Sequence, residues 1–121
     1  MSDLDKLMSL SGAVAAGEFT KDGRLVSFKG EMDPKWAQML ANMCAANTLM
    51  GTMQCEAFGT YTGMAMAPFY GWAMSAGEYS VCVMGHRGVM MKTSQVDFNA
   101  AFAALAELRD VVHDSKPLMA T

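Results

Sequence analysis

The sequence predicts an α/β (α+β) domain, a five-stranded antiparallel sheet with helices on both faces, in the order α-β-β-α-β-β-β-α. Three observations carry that prediction. The stretch 33–59 repeats its apolar positions at helical spacing and has no charged residue between Lys35 and Glu56. On either side of it, short alternating runs are joined by glycine turns, so sequential hairpins flank one crossing helix. The clearest run, Tyr79–Met84, is apolar on both faces, as a strand covered from above and below must be.

Taken in order, Ser2 can cap a helix from Asp3 to about Leu10, with Asp3 and Asp5 in the first turn where the helix dipole favours them. Ser11 and Gly12 stop it. Ala13–Thr20 reads as a strand, with Gly17 marking a bulge or a close backbone approach. Lys21, Asp22 and Gly23 make a hairpin turn. Arg24–Lys29 returns, Val26 and Phe28 facing one way and Leu25 and Ser27 the other. The long helix then runs from Asp33, an N-cap followed by Pro34 at the first helical position, to Gly59. Thr60–Tyr70 is an uncharged connector and is expected to be covered. Gly71–Ala76, Tyr79–Met84 and Val89–Thr93 are the remaining strands. Gly85, His86, Arg87 and Gly88 form a tight turn between the last two. Asp97 caps a final helix to about His113, with Phe98, Phe102, Leu105, Leu108 and Val112 at helical spacing. Residues 1–114 form one domain and 115–121 a tail.

The long helix organises the rest. One seam is bulky: Met39, Met43, Ala46, Met50, Met53 and Ala57. The other is small: Ala37, Ala41, Cys44, Thr48, Gly51 and Cys55. At about 100° per residue they lie opposite each other. A helix with two apolar flanks and no charge is expected to be covered twice, by the sheet under the methionines and by a second helix on the small seam. The expected dimer interface is therefore Ala37, Ala41, Cys44, Thr48, Gly51 and Cys55, with Trp72 and Met74 contributing at a strand edge.

Composition narrows the classes. The chain has 121 residues, 52% hydrophobic and 17% charged, which suits one globular domain. A net charge of −3 gives no electrostatic reason to bind nucleic acid or an anionic membrane. The start is polar and acidic, and Gln38, Asn42, Asn47 and Gln54 interrupt the long apolar helix, so neither a leader nor a membrane span is read and the expected location is cytoplasmic. Three cysteines without a C-x-x-C spacing are expected as reduced thiols.

With the element order in hand, the chain resembles the roadblock/dynein light chain superfamily, whose sheet is profilin-like. The resemblance rests on Ser11, Gly12, Ala13 and Val14 entering the first strand, on Lys21, Asp22, Gly23, Arg24 and Leu25 at the first turn, and on Tyr79, Ser80, Val81, Cys82 and Val83 as a hairpin strand. It implies dimers built by packing long helices together and joining third strands edge to edge. It also implies a scaffold or regulatory role with a protein partner, a small Ras-like GTPase in several members.

No catalytic motif is present, and the expectation is a non-enzymatic, homodimeric interaction module without a cofactor. The alternative is a small-ligand or soft-metal sensor. Fourteen methionines offer Met39/Met43, Met50/Met53, Met64/Met66 and Met90/Met91 as thioether pairs for Cu(I) beside a cysteine; core filling explains the same residues. Trp36, Tyr61, Phe69, Tyr70 and Trp72 could line an apolar pocket beside Met64–Trp72. A Cys–His nucleophile would need His86 or His113 within hydrogen-bond reach of a thiol. His86 and Arg87, read as a solvated hairpin tip, could receive an anion, but the Lys-Ser/Thr of a phosphate loop is missing.

Overall fold

A computed structural model of the chain describes residues 3–112. Ser2, His113 and the tail 115–121 lie outside them. The elements are α1 (Asp3–Met8), β1 (Ala13–Phe19), β2 (Leu25–Gly30), α2 (Pro34–Thr62), β3 (Gly71–Ala76), β4 (Tyr79–Met84), β5 (Arg87–Lys92) and α3 (Phe98–Val112). The five strands form one antiparallel sheet in the order β2-β1-β5-β4-β3. β5 holds the middle position, and β4 lies beside it as an interior strand.

The helices divide between the faces as period-two alternation requires. Leu4 and Leu7 of α1 and Ala101, Leu105 and Leu108 of α3 bury Ala16, Cys82, Val89 and Met91 on one face. On the other, Ala41, Cys44 and Ala45 of α2 cover Phe19 and Val83, with Leu25, Trp72 and Val81 packed alongside. The two adjacent methionines Met90 and Met91 thus point to opposite faces, so they cannot chelate one ion together.

Three local differences from the sequence reading have physical causes. Asp33 does cap α2, its side chain accepting the Lys35 N–H at 2.8 Å, but the helix runs through Gly59 to Thr62. It stops where Gly63 takes the left-handed conformation, φ 73°, and donates its N–H to the Gly59 carbonyl. The β1–β2 register shifts at Glu18/Phe19, so Leu25 pairs with Phe19 and Phe28 with Gly17. That irregularity puts Leu25 and Phe28 on the α2 side together and leaves Val26 exposed. Finally, β5 begins at Arg87, which shortens the turn before it to Gly85 and His86.

Candidate functional site

The largest departure concerns the two flanks of α2. The small seam faces the sheet of its own chain: Ala37 and Ala41 are 4% exposed, Cys44 and Thr48 8%. Trp72 Nε1 donates to Thr48 Oγ1 at 3.1 Å. The Phe69 ring lies on Gly51, where an added Cβ would come within 2.4 Å of Cζ; Cys55 is half-buried. The covering is therefore the reverse of the expected one, with the sheet under the small residues. Its cause is complementarity. Phe19, Leu25, Val83 and Trp72 rise from the sheet, and only small side chains let the helix backbone approach over them.

Polar contacts fix that orientation. Gln38 Nε2 donates to the Gly23 carbonyl at 2.8 Å, and its Oε1 accepts the Leu25 N–H at 3.1 Å, clamping the first hairpin turn to α2.

The bulky seam consequently stands in solvent. Met39, Met43, Met50 and Met53 are 51%, 43%, 54% and 60% exposed. Trp36 and Tyr61, also exposed, fall within about 60° of the same line at 100° per residue. Among the described residues β3 is an edge strand of the sheet: Ala73–Ala76 are exposed, including Met74, and Trp72 is half-buried. Unpaired strand edges and contiguous apolar patches are both interaction surfaces.

The other candidates resolve differently. The connector is open rather than covered, with Tyr61 89% exposed and Met64 and Tyr70 also exposed. Its aromatics do not converge. Trp36 and Tyr61 are 25 positions apart on one helix, about 37 Å at 1.5 Å per residue, while Phe69 sits on Gly51 and Trp72 on Thr48. Burial pushes the Cys44 and Cys82 thiols up to about 11, so neither is a thiolate nucleophile at neutral pH.

His86 and Arg87 are not a solvated tip. His86 Nε2 is 3.3 Å from Glu18 Oε2. Arg87, 7% exposed, places Nη2 2.7 Å from Asp3 Oδ2 and 3.7 Å from Glu18 Oε2, and donates Nη1–H to the Leu108 carbonyl at 3.5 Å. The cluster ties α1, β1, β5 and α3 together, and its cation is already held by two carboxylates. Sequence reading missed it because the partners are 84 and 69 positions away in the chain.

Burial first, then the Arg87 charge, holds the His86 imidazole below its ordinary value, against the pull of Glu18. A depressed folded value means the unfolded chain takes the proton more readily. Stability is therefore full above the unfolded value, about 6.5, and is lost as pH falls through the folded one. Melting temperatures measured from roughly pH 7 downward are expected to decline more steeply for the wild type than for His86→Asn; equal slopes would contradict the assignment.

Among the described residues no group of three or more His, Cys, Asp or Glu side chains converges as a metal site. No described helix is long and apolar enough to cross a membrane.

Residues 3–107 match the model of a family described as Uncharacterized conserved protein (DUF2173). No curated protein matches the sequence. Similar solved structures include a Roadblock/LC7 domain from Streptomyces avermitilis, 16% identical with 93% of each chain covered and a TM-score of 0.75. Myxococcus xanthus MglB is 16% identical over 93% of each chain with a TM-score of 0.69. MglC from Myxococcus xanthus is 10% identical, with 94% of this chain and 96% of that one covered and a TM-score of 0.58. At these identities the likeness shows the fold, which is roadblock-like.

Proposed function

This chain belongs to the DUF2173 family, and on that footing we propose that it is a non-enzymatic homodimeric interaction module, built on residues 1–114, whose dimer face is the methionine seam of α2 together with the β3 edge. The single observation that carries the reading is the line Met39, Met43, Met50 and Met53, an apolar helical flank that the described residues leave exposed. Fully burying an exposed methionine side chain is worth about 1.5–3 kcal/mol; these four are about half exposed, so about 1 kcal/mol from each of the eight in a dimer is a driving force of the right order. Methionine adapts to irregular partners, which suits a helix packing on its own copy.

The intermolecular role expected for Ala37, Ala41, Cys44, Thr48, Gly51 and Cys55 passes in this proposal to the opposite flank, because that seam faces the sheet and Phe69 of its own chain. Trp72 and Met74 keep theirs, at the edge where a second β3 would add antiparallel hydrogen bonds. The roadblock-like fold supports a scaffold or regulatory role, with a protein partner on the outer surface of the dimer; a small GTPase is the class the resemblance implies. MglB and MglC share the fold, which supports the same reading.

Light scattering of the purified chain tests the premise. The expected mass is twice 13.0 kDa, and a monomeric mass at micromolar concentration would contradict it.

A further inference from the structure

The exposed flank of α2 repeats with a regularity that specifies how a second copy would lie on it. Met39, Met43, Ala46, Met50, Met53 and Ala57 follow one another at alternating four- and three-residue steps, and Trp36 and Thr60 extend the series at either end. Every one of these residues is exposed. A seam recurring about every 3.5 residues is what one helix presents to another in a two-stranded coil. Large and small side chains are spread unevenly along it. Read backwards, the series sets small residues where the forward reading has large ones, so the seam is complementary to its own reverse.

We infer that two copies pack these seams antiparallel about a two-fold axis level with Thr48, each residue meeting the partner residue equally far beyond that position. This rests on the homodimer proposed above and adds its direction and register. Ala46 then meets the partner's Met50, Met39 the partner's Ala57, Trp36 the partner's Thr60 and Met43 the partner's Met53. No alanine faces an alanine, so the layers fill evenly, as a well-packed interface requires. The other arrangements do not fill. A parallel pair in register stacks Ala46 on the partner's Ala46 and Ala57 on the partner's Ala57, leaving gaps between methionine layers. An antiparallel pair slid by one heptad sets Ala46 on the partner's Ala57. Slid the other way, it forces Trp36 against the partner's Met53 and carries Ala57 past the partner's Pro34, where α2 begins. Charge agrees with the antiparallel choice. Lys35 and Glu56, which bound the uncharged stretch, are exposed at opposite ends of the seam. Antiparallel helices bring those opposite signs to the same end, and opposed helix dipoles with them, whereas parallel helices bring like signs together.

Sedimentation equilibrium on full-length variants at positions 39 and 57 tests the register. The two positions lie about 27 Å apart along one helix at 1.5 Å per residue, so a single chain cannot couple them. Both are exposed, and alanine and methionine both favour helix, so each variant keeps the fold. Met39→Ala sets alanine against alanine in two symmetric layers, and Ala57→Met sets methionine against methionine. Each is expected to weaken dimerisation about tenfold. Met39→Ala with Ala57→Met returns one large and one small side chain to each layer and is expected to come within about threefold of the wild type. Penalties that multiply in the double variant, or single variants as tight as the wild type, would overturn the register and leave the homodimer standing. A wild-type chain that is monomeric at micromolar concentration would instead remove the homodimer, and the register with it.

Discussion

Replacing Ala41 and Cys44 together by Glu is expected to abolish folding rather than release a monomer. Both positions are buried against Phe19 and Val83. Each substitution brings a carboxylate into an apolar layer with no cation opposite it, at an effective cost of several kcal/mol per ion. Forcing a longer side chain under the helix adds about 1–3 kcal/mol of overpacking at each site. A domain of this size has roughly 5–15 kcal/mol of stability to lose, so the sum reaches or exceeds it. Circular dichroism is expected to show loss of helix, or the chain to be insoluble. A soluble variant with native helix content, a cooperative melt and monomeric mass would instead mean that the small seam faces another copy.

The element order was readable because each element carries its own local signal. Asp33 and Pro34 announce the start of α2, Gly23, Gly77 and Gly85 sit at turns with positive φ, and the bounds of Gly71–Ala76 and Tyr79–Met84 coincide with the strands. The candidate site was half legible. Periodicity separates the flanks of α2 correctly into bulky and small, but it holds no information about which flank the sheet takes. That choice depends on Leu25 and Phe28 standing on the same side, which a one-residue irregularity at Val26 brings about, and on Trp72 reaching Thr48 across 24 positions. Nothing in either stretch alone encodes those meetings. The Asp3–Arg87–Glu18 cluster escaped for the same reason.

The second large effect concerns the other flank. Met43→Glu with Met50→Glu changes two exposed positions, so the isolated fold has little to lose; surface substitutions of this kind stay within about 0.5 kcal/mol. In a two-fold symmetric dimer the same pair alters four positions at once. With each side chain already about half-buried, losing about 1 kcal/mol of burial at each is about 4 kcal/mol, some three orders of magnitude in Kd, before the repulsion of facing carboxylates is counted. Light scattering on this double variant, with circular dichroism on the same sample, is the most direct measurement of which flank of α2 meets a partner. The account predicts a monomer with helix content and melting behaviour close to the wild type's. A dimer of undiminished affinity would show that the methionine flank is not where two copies join.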